Sequence, residues 1–325
     1  MKKKSYVNPH VEVPQRGFKD FLLWKLGHFD SGKTTHAGKE GFSFPSLESS
    51  FNSELPSVTW INHSTFLISV CGVNILTDPI WSSRCSPLSF LGPKRKHPPG
   101  VPFSHLPHID FVLISHNHYD HLDQSTVVEL AKKFTRLCWF VPKGVKSWFD
   151  LRKITPVYEF DWWDQREVVL SDRQGVKGKI TFVPAQHFSG RRGYDLNGSL
   201  WGGWIFEGVS KAVSKRCYFV GDTGYNPVDF KKIGELFAPI DLSLIPIGAY
   251  EPKAFMEAVH INPEQAVRIH REVGSNLSIG MHWKTFRLTD EPMDLPPYEL
   301  YQALLKEKID PSHFVVIEPG QARNW

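Results

Sequence analysis

The chain has 325 residues, 41% of them hydrophobic and 22% charged, with a formal net charge of +4. That is a globular composition with enough chain to bury a core without disulfide staples, and it excludes wholesale disorder and low-complexity classes. No stretch approaches the roughly 18 apolar residues of a spanning helix, and the mild basic excess lacks the clustering of a nucleic-acid surface, so no nucleic-acid partner is expected. Cys71, Cys85, Cys138 and Cys217 form no CxxC pair and read as reduced, buried thiols. The basic Met1–Lys4 leads into no signal-peptide core. A cytoplasmic location is therefore expected.

Residues 1–55 carry scattered Gly, Ser and Lys with no sustained period and read as an irregular extension that docks on the domain that follows. From Val58 short β-branched runs predict strands at Val58–Ile61, Thr65–Val70 and Val73–Leu76, with tight turns between them. After a proline-rich loop comes a compact apolar strand, Phe111–Ser115, and then a helix over Ser125–Phe134. Further strands are predicted at Trp139–Val141, Ile180–Val183, Trp201–Phe206, Tyr218–Val220, Leu242–Ile245, Ser278–Gly280 and Phe314–Ile317. Helices are predicted at Pro227–Leu236, Pro263–Val273 and Pro297–Lys306, each opened by a proline that suits a first turn. Strands interleaved with helices argue an α/β architecture. No internal repeat of fixed period is visible.

Fifteen histidines are more than a fold of this size needs. The decisive segment is Ser115-His116-Asn117-His118-Tyr119-Asp120-His121-Leu122-Asp123, directly after an apolar strand. His116 and His118 alternate by two, so in extended backbone their rings point the same way. Imidazole and carboxylate are the usual ligands of Zn, Mn or Fe, and four such groups suit half of each site in a two-metal centre. His187, Asp222 and His282 share one context: an apolar strand, then the residue, then a loop, at the edge where α/β folds build sites. Asp78, ending a strand before Pro79, is placed to accept an imidazole N–H from a ligand; the other reading is a turn-forming Asp. His63 also ends a strand and is a candidate of the same kind. Asp123 reads as the cap of the next helix. Neither a GxSxG elbow nor a P-loop is present.

In this order HxHxDH, a later histidine, a Gly-Asp-Thr-Gly aspartate and a final histidine resemble the metallo-β-lactamase superfamily. Leu76–Ile80, Gly92–Arg95, the segment 115–123, Asp161-Trp162-Trp163, Gly221–Tyr225, Ile245–Pro252 and His260–Ala266 resemble its N-acyl-phosphatidylethanolamine-hydrolysing phospholipase D family. The segments 184–191 and 200–203 look more like bacterial members. The resemblance spans residues 56–325. It implies a four-layered αβ/βα sandwich holding two zinc ions, the first bound by His116, His118 and His187, the second by Asp120, His121 and His282, with Asp222 bridging. Asp120 and Asp222 would then be catalytic as well as ligating, and His260 would contact the substrate phosphate. Tyr250 and Phe255 read as lining the entrance.

The activity so implied is hydrolysis of a phosphodiester, N-acyl-phosphatidylethanolamine to N-acylethanolamine and phosphatidic acid, by a hydroxide between the metals. The alternatives are a superfamily lactonase or soluble phosphodiesterase, like the ascorbate-phosphate lactonases, and a metal-binding scaffold without catalysis. Lys94-Arg95-Lys96-His97 reads either as a contact for anionic headgroups or as a solvated basic loop. Trp81, Phe90 and Leu91 offer an apolar edge for peripheral membrane contact. Self-association stays open.

Overall fold

Leu76, Val112, Ile114, Trp139 and Val141 pack on one face of a sheet, and Ile75, Phe111, Leu113 and Phe140 on the other. Burial on both faces is why these strands read as unbroken apolar runs. The structure, a computed structural model, describes residues 5–14, 18–29, 42–45, 51–169, 177–192, 194–209 and 214–325. Met1–Lys4 and other parts of the expected extension lie outside these.

The strands are β1 (Ser57–Asn62), β2 (Thr65–Val70), β3 (Val73–Thr77), β4 (Phe111–Leu113), β5 (Cys138–Pro142), β6 (Val157–Phe160), β7 (Gln165–Val169), β8 (Lys177–Val183), β9 (Gly203–Val209), β10 (Ser214–Phe219), β11 (Ile240–Pro246), β12 (Ser275–Met281), β13 (Phe314–Val315) and β14 (Ala322–Asn324). They form two seven-stranded sheets, ordered β14-β1-β2-β3-β4-β5-β6 and β13-β12-β11-β10-β9-β8-β7. Each sheet is antiparallel on one side and parallel on the other. In the first, β14, β1, β2 and β3 run antiparallel and β3 to β6 parallel. In the second, β7 to β10 run antiparallel and β10 to β13 parallel. The two halves thus share a topology that no sequence repeat announced.

The helices are α1 (Phe18–Lys25), α2 (Gln124–Lys133), α3 (Lys146–Asp150), α4 (Asp229–Phe237), α5 (Lys253–Met256), α6 (Pro263–Glu272) and α7 (Leu295–Lys306). Val127 and Leu130 of α2 and Phe149 of α3 cover the outer face of the first sheet. Phe230 and Ile233 of α4, Val267 and Ile269 of α6, and Leu300 and Leu304 of α7 pack with the second. The result is the expected α/β sandwich of four layers, helices outside and sheets within.

Several expectations shift. The Phe111–Ser115 strand ends its ladder at Leu113, and the Trp201–Phe206 strand begins at Gly203. The extension expected to be irregular contains α1. Pro227 precedes its helix; the Asn226 side chain accepts the N–H groups of Val228 and Asp229 there instead. Pro263 does sit at the start of α6, inside a capping box of Asn262 and Gln265. Strands β6, β7 and β14 were not expected, being edge or near-edge strands with polar faces.

Trp204 ties the core to the site. Its ring lies among Phe140, Phe160 and Phe182, and its Nε1–H donates to the Ile114 carbonyl at 2.8 Å, two residues before His116. Trp204→Phe should orphan that buried carbonyl and lower stability by about 1–3 kcal/mol, read as a lower urea midpoint at unchanged m-value.

Candidate metal centre

All but one of the clustered side chains sit beyond the C-terminal end of a strand. His63 follows β1, Asp78 β3, the 115–123 loop β4, His187 β8, Asp222 β10 and His282 β12; His260 follows α5. His63, Asp78 and His282 have φ of 45°, 31° and 62°, a left-handed conformation unusual for side chains of their size. Backbone hydrogen bonds hold it. The His63 N–H donates to Thr285 Oγ1 (2.8 Å), that of His282 to the His63 carbonyl (3.1 Å) and that of Asp78 to the Leu113 carbonyl (3.0 Å). Gly221, with φ of 71°, leaves no room for a Cβ, which would meet the Gly202 carbonyl and Ser115 Cβ at 2.8 Å.

The ligand atoms form two groups. In the first, His116 Nε2 lies 2.8 Å from His118 Nδ1, and His187 Nε2 lies 3.3 Å from the same atom. In the second, Asp120 Oδ2 lies 3.0 Å from His63 Nε2, 3.3 Å from His121 Nε2 and 3.6 Å from His282 Nε2. Asp222 Oδ2 stands between them, 3.2 Å from His121 Nε2, 3.1 Å from His282 Nε2 and 3.9 Å from His187 Nε2. His260 Nδ1 is 3.9 Å from that oxygen. The seven residues expected as ligands are therefore brought together, with His63 and His260 beside them.

The far sides of the rings are anchored. His121 Nδ1 meets Asp78 Oδ2 at 2.6 Å, and the same carboxylate accepts the Ser115 N–H (2.7 Å) and hydroxyl (2.5 Å). His187 Nδ1 meets the Val259 carbonyl at 2.8 Å, and His116 Nδ1 meets the Ser115 hydroxyl at 2.9 Å. Donation from Nδ1 leaves Nε2 free for a cation. Two supports had no signal that could be read in advance. The Arg191 guanidinium donates to the carbonyls of Asn117 (2.8 Å), His118 (3.4 Å) and Leu122 (2.7 Å), clamping the ligand loop. Asn8 pairs with the His187 backbone in both directions, at 2.8 and 3.1 Å.

Burial lowers the pKa of His116 and His187 well below the ordinary imidazole value, and those of His118 and His260 to about 4 and His63 to about 3. These rings are neutral bases near pH 7. At Asp120 and Asp222 burial acts upward, but the His121 ring and its neighbours outweigh it and hold both carboxyls well below their usual range. Burial would lower His121 and His282; Asp222 and Asp120 outweigh it, raising His282 to about 9 and His121 well above the ordinary imidazole value. Asp78 is raised by its burial. The field that favours protons on His121 and His282 favours any cation among these rings. His121 Nε2, both ring nitrogens of His282 and Asp222 Oδ1 are buried with no hydrogen-bond partner. Buried polar atoms without partners are rare, and neutral imidazoles with carboxylates are a divalent-metal donor set. The residues fit a metal.

Other expected residues are placed differently. Tyr250 is 2% exposed and borders neither large cavity; burial and the carboxylates Glu299, Glu291 and Glu251 raise its hydroxyl's pKa. Asp123 does stand at the N-cap of α2, yet its carboxylate accepts from Ser82 and Thr126 rather than from the helix N–H groups. Arg95 turns inward to the carbonyls of Ser82 and Ile80, and Trp81 packs on Phe103. Phe90 and Leu91 are 74% and 61% exposed. No helix among the described residues is long and apolar enough to cross a membrane.

A sequence model described as a β-lactamase superfamily domain matches residues 73–283. Over 271 residues the chain is 41% identical to N-acyl-phosphatidylethanolamine-hydrolyzing phospholipase D 1 of Caenorhabditis elegans, covering 81% of this chain and 74% of that enzyme. A metal-dependent hydrolase of Methanopyrus kandleri is 27% identical over 275 residues, 82% of this chain and 98% of the relative. Among solved structures, a metallo hydrolase from the archaeon Ignicoccus hospitalis has a TM-score of 0.59 at 22% identity, covering 83% of this chain and 98% of that one; this likeness shows the fold alone.

Asp78→Ala should leave the His121 Nδ1–H and the Ser115 N–H without an acceptor. Metal affinity should fall about 10- to 100-fold, measured by titration against a competing chelator.

Proposed function

This chain belongs to the β-lactamase superfamily, in the family of the N-acyl-phosphatidylethanolamine-hydrolysing phospholipases D, and is a metal-dependent hydrolase; from that premise we propose that it is a dinuclear zinc phosphodiesterase releasing N-acylethanolamine and phosphatidic acid. His116, His118 and His187 would hold one ion, Asp120, His121 and His282 the other, and Asp222 would bridge. Bound there, two zinc ions would supply a water-derived nucleophile near neutral pH and offset charge on the phosphoryl oxygens.

The observation that carries the lipid reading is a largely apolar cavity of about 750 Å³ that reaches His187 and His260. Val7, Val11, Phe188, Phe255, Met256 and Val259 are among its lining residues. Walls of this kind bind acyl chain and exclude water, while a soluble phosphodiester would gain little from them. His260 stands at the junction, its ring 5.2 Å from that of His187 and 5.4 Å from that of His282. A neutral imidazole there can donate a hydrogen bond to a phosphoryl oxygen without adding charge. His63 Nε2, 3.0 Å from Asp120 Oδ2, orients that carboxylate.

Vesicles carrying N-acyl-phosphatidylethanolamine, offered to the zinc-loaded protein, should yield phosphatidic acid. No product, alongside rapid turnover of a soluble lactone or phosphodiester, would reject the lipid reading and leave the hydrolase intact. Val11→Trp, which narrows the cavity, should raise KM for long-chain substrate and leave a soluble phosphodiester unaffected. Asp222→Asn should cut turnover by more than about 100-fold with the unfolding midpoint of the metal-free protein little changed; retained turnover would remove Asp222 from the bridging position.

A further inference from the structure

A second cavity, of about 680 Å³, borders the ligand loop at Asn117, Tyr119 and Leu122 but includes none of the clustered histidines. Its walls carry four guanidiniums, Arg84, Arg152, Arg191 and Arg192, against two carboxylates, Asp123 and Asp195. Among the described residues none of the four arginines forms an ion pair. The carboxylates are engaged elsewhere: Asp123 accepts from Ser82 and Thr126, and Asp195 Oδ1 accepts the backbone N–H groups of Arg191 and Arg192.

Neutral groups hold the arginines instead. Arg152 lies 3.7 Å over the Trp148 ring and donates to the Trp148 carbonyl and to Gln124, while its Nε is buried without a partner. Arg192 donates to the Tyr194 hydroxyl, and Arg84 to the Gly92 carbonyl. Burial, followed by the like charge of Arg192, lowers the Arg152 pKa; burial, joined by the like charge of Arg152, lowers that of Arg191 against the opposing Tyr119, Asp123 and Asp195. Gln124 and Ser125, the first two residues of the ten-residue helix α2, also line the cavity, and that helix has no acid in its first turn. Guanidinium forks match phosphate oxygens, and a helix N-terminus adds favourable N–H dipoles.

We infer that this cavity is an anion site, separate from the metal centre, for a phosphomonoester dianion carrying a small organic group. Four arginines against two carboxylates around a space of this size are stabilised by a ligand of that charge and shape. The same chemistry is offered by a soluble phosphomonoester and by a phosphatidic-acid headgroup. The lipid source has a route: exposed Leu88, Phe90 and Leu91 alternate with and adjoin the wall residues Pro87 and Ser89. The inference does not depend on which substrate the metal centre hydrolyses.

The test compares the metal-loaded wild type with Arg152→Gln/Arg192→Gln, a variant that touches neither the histidine cluster nor the apolar cavity. Calorimetric titration uses glycerol 3-phosphate; flotation uses phosphatidylcholine vesicles with and without phosphatidic acid. The wild type should bind one or both anionic probes, and the double variant at least tenfold more weakly, with turnover of a soluble phosphodiester unchanged in the absence of added anion. Binding of glycerol 3-phosphate assigns a soluble ligand; binding only of phosphatidic-acid vesicles assigns the lipid. Equal binding by wild type and variant would put the anion on the metals and overturn the inference, as would no binding of either probe.

Discussion

Asp222 Oδ2 lies within 3.2 Å of two imidazoles that arrive from opposite halves of the chain, His121 and His282. Around it are seven histidines and two further aspartates, Asp78 and Asp120, whose candidate ligand atoms fall into neighbouring groups. Such a cluster is expensive to bury, because desolvation opposes every charge and neutral rings at 2.8 Å cannot all find donors. It persists because the rings are braced from behind by Asp78, Ser115 and the Val259 carbonyl, so that their remaining nitrogens face inward.

The doubled topology explains how the cluster is assembled. The first sheet ends its strands in His63, Asp78 and the 115–123 loop; the second ends its strands in His187, Asp222 and His282. Neither half carries a complete set. His116 and His118 need His187, and Asp120 and His121 need His282. Packing the two sheets face to face through Phe182, Trp204 and Phe219 on one side and Trp60, Phe66 and Phe140 on the other is therefore the same event as closing the site. A fault at the sheet interface near Ile114 becomes a fault at His116.

The cluster was legible because three imidazoles and a carboxylate within six residues, directly after an apolar strand, have few other uses. The layers were legible because two-faced burial writes continuous apolar runs at β3, β4 and β5. The supports were not. Asn8 reaches His187 across 179 residues, and nothing about a lone asparagine in a polar segment announces that contact. The segment with Arg95 read either as a headgroup contact or as a solvated loop, because sequence shows charge but not direction; the Arg95 guanidinium turns to backbone carbonyls of its own neighbourhood. Tyr250 read as an entrance residue on a similar basis, yet an aromatic after a Pro-Ile-Gly-Ala stretch suits a cavity lip and a buried corner equally well, and its side chain is buried. Edge strands such as β7, Gln-Arg-Glu-Val-Val, carry too little apolar pattern to be seen before their neighbours are known.

The segment 5–14 bears on both binding and metal. Through Asn8 it clasps the backbone of His187, and through Val7 to Pro14 it supplies part of the apolar cavity wall. Tyr6 adds a backbone bond to the Asn197 carbonyl at 2.9 Å, and Asn197 in turn accepts from Ser189, two residues beyond His187. A chain of short polar contacts thus runs from the wall that would hold an acyl chain to a ring that would hold a metal. Filling the cavity and ordering this segment are then coupled in free energy, because the contacts that order residues 5–14 also fix His187. On the proposed function, substrate length and metal retention would then be linked through one small strap of backbone.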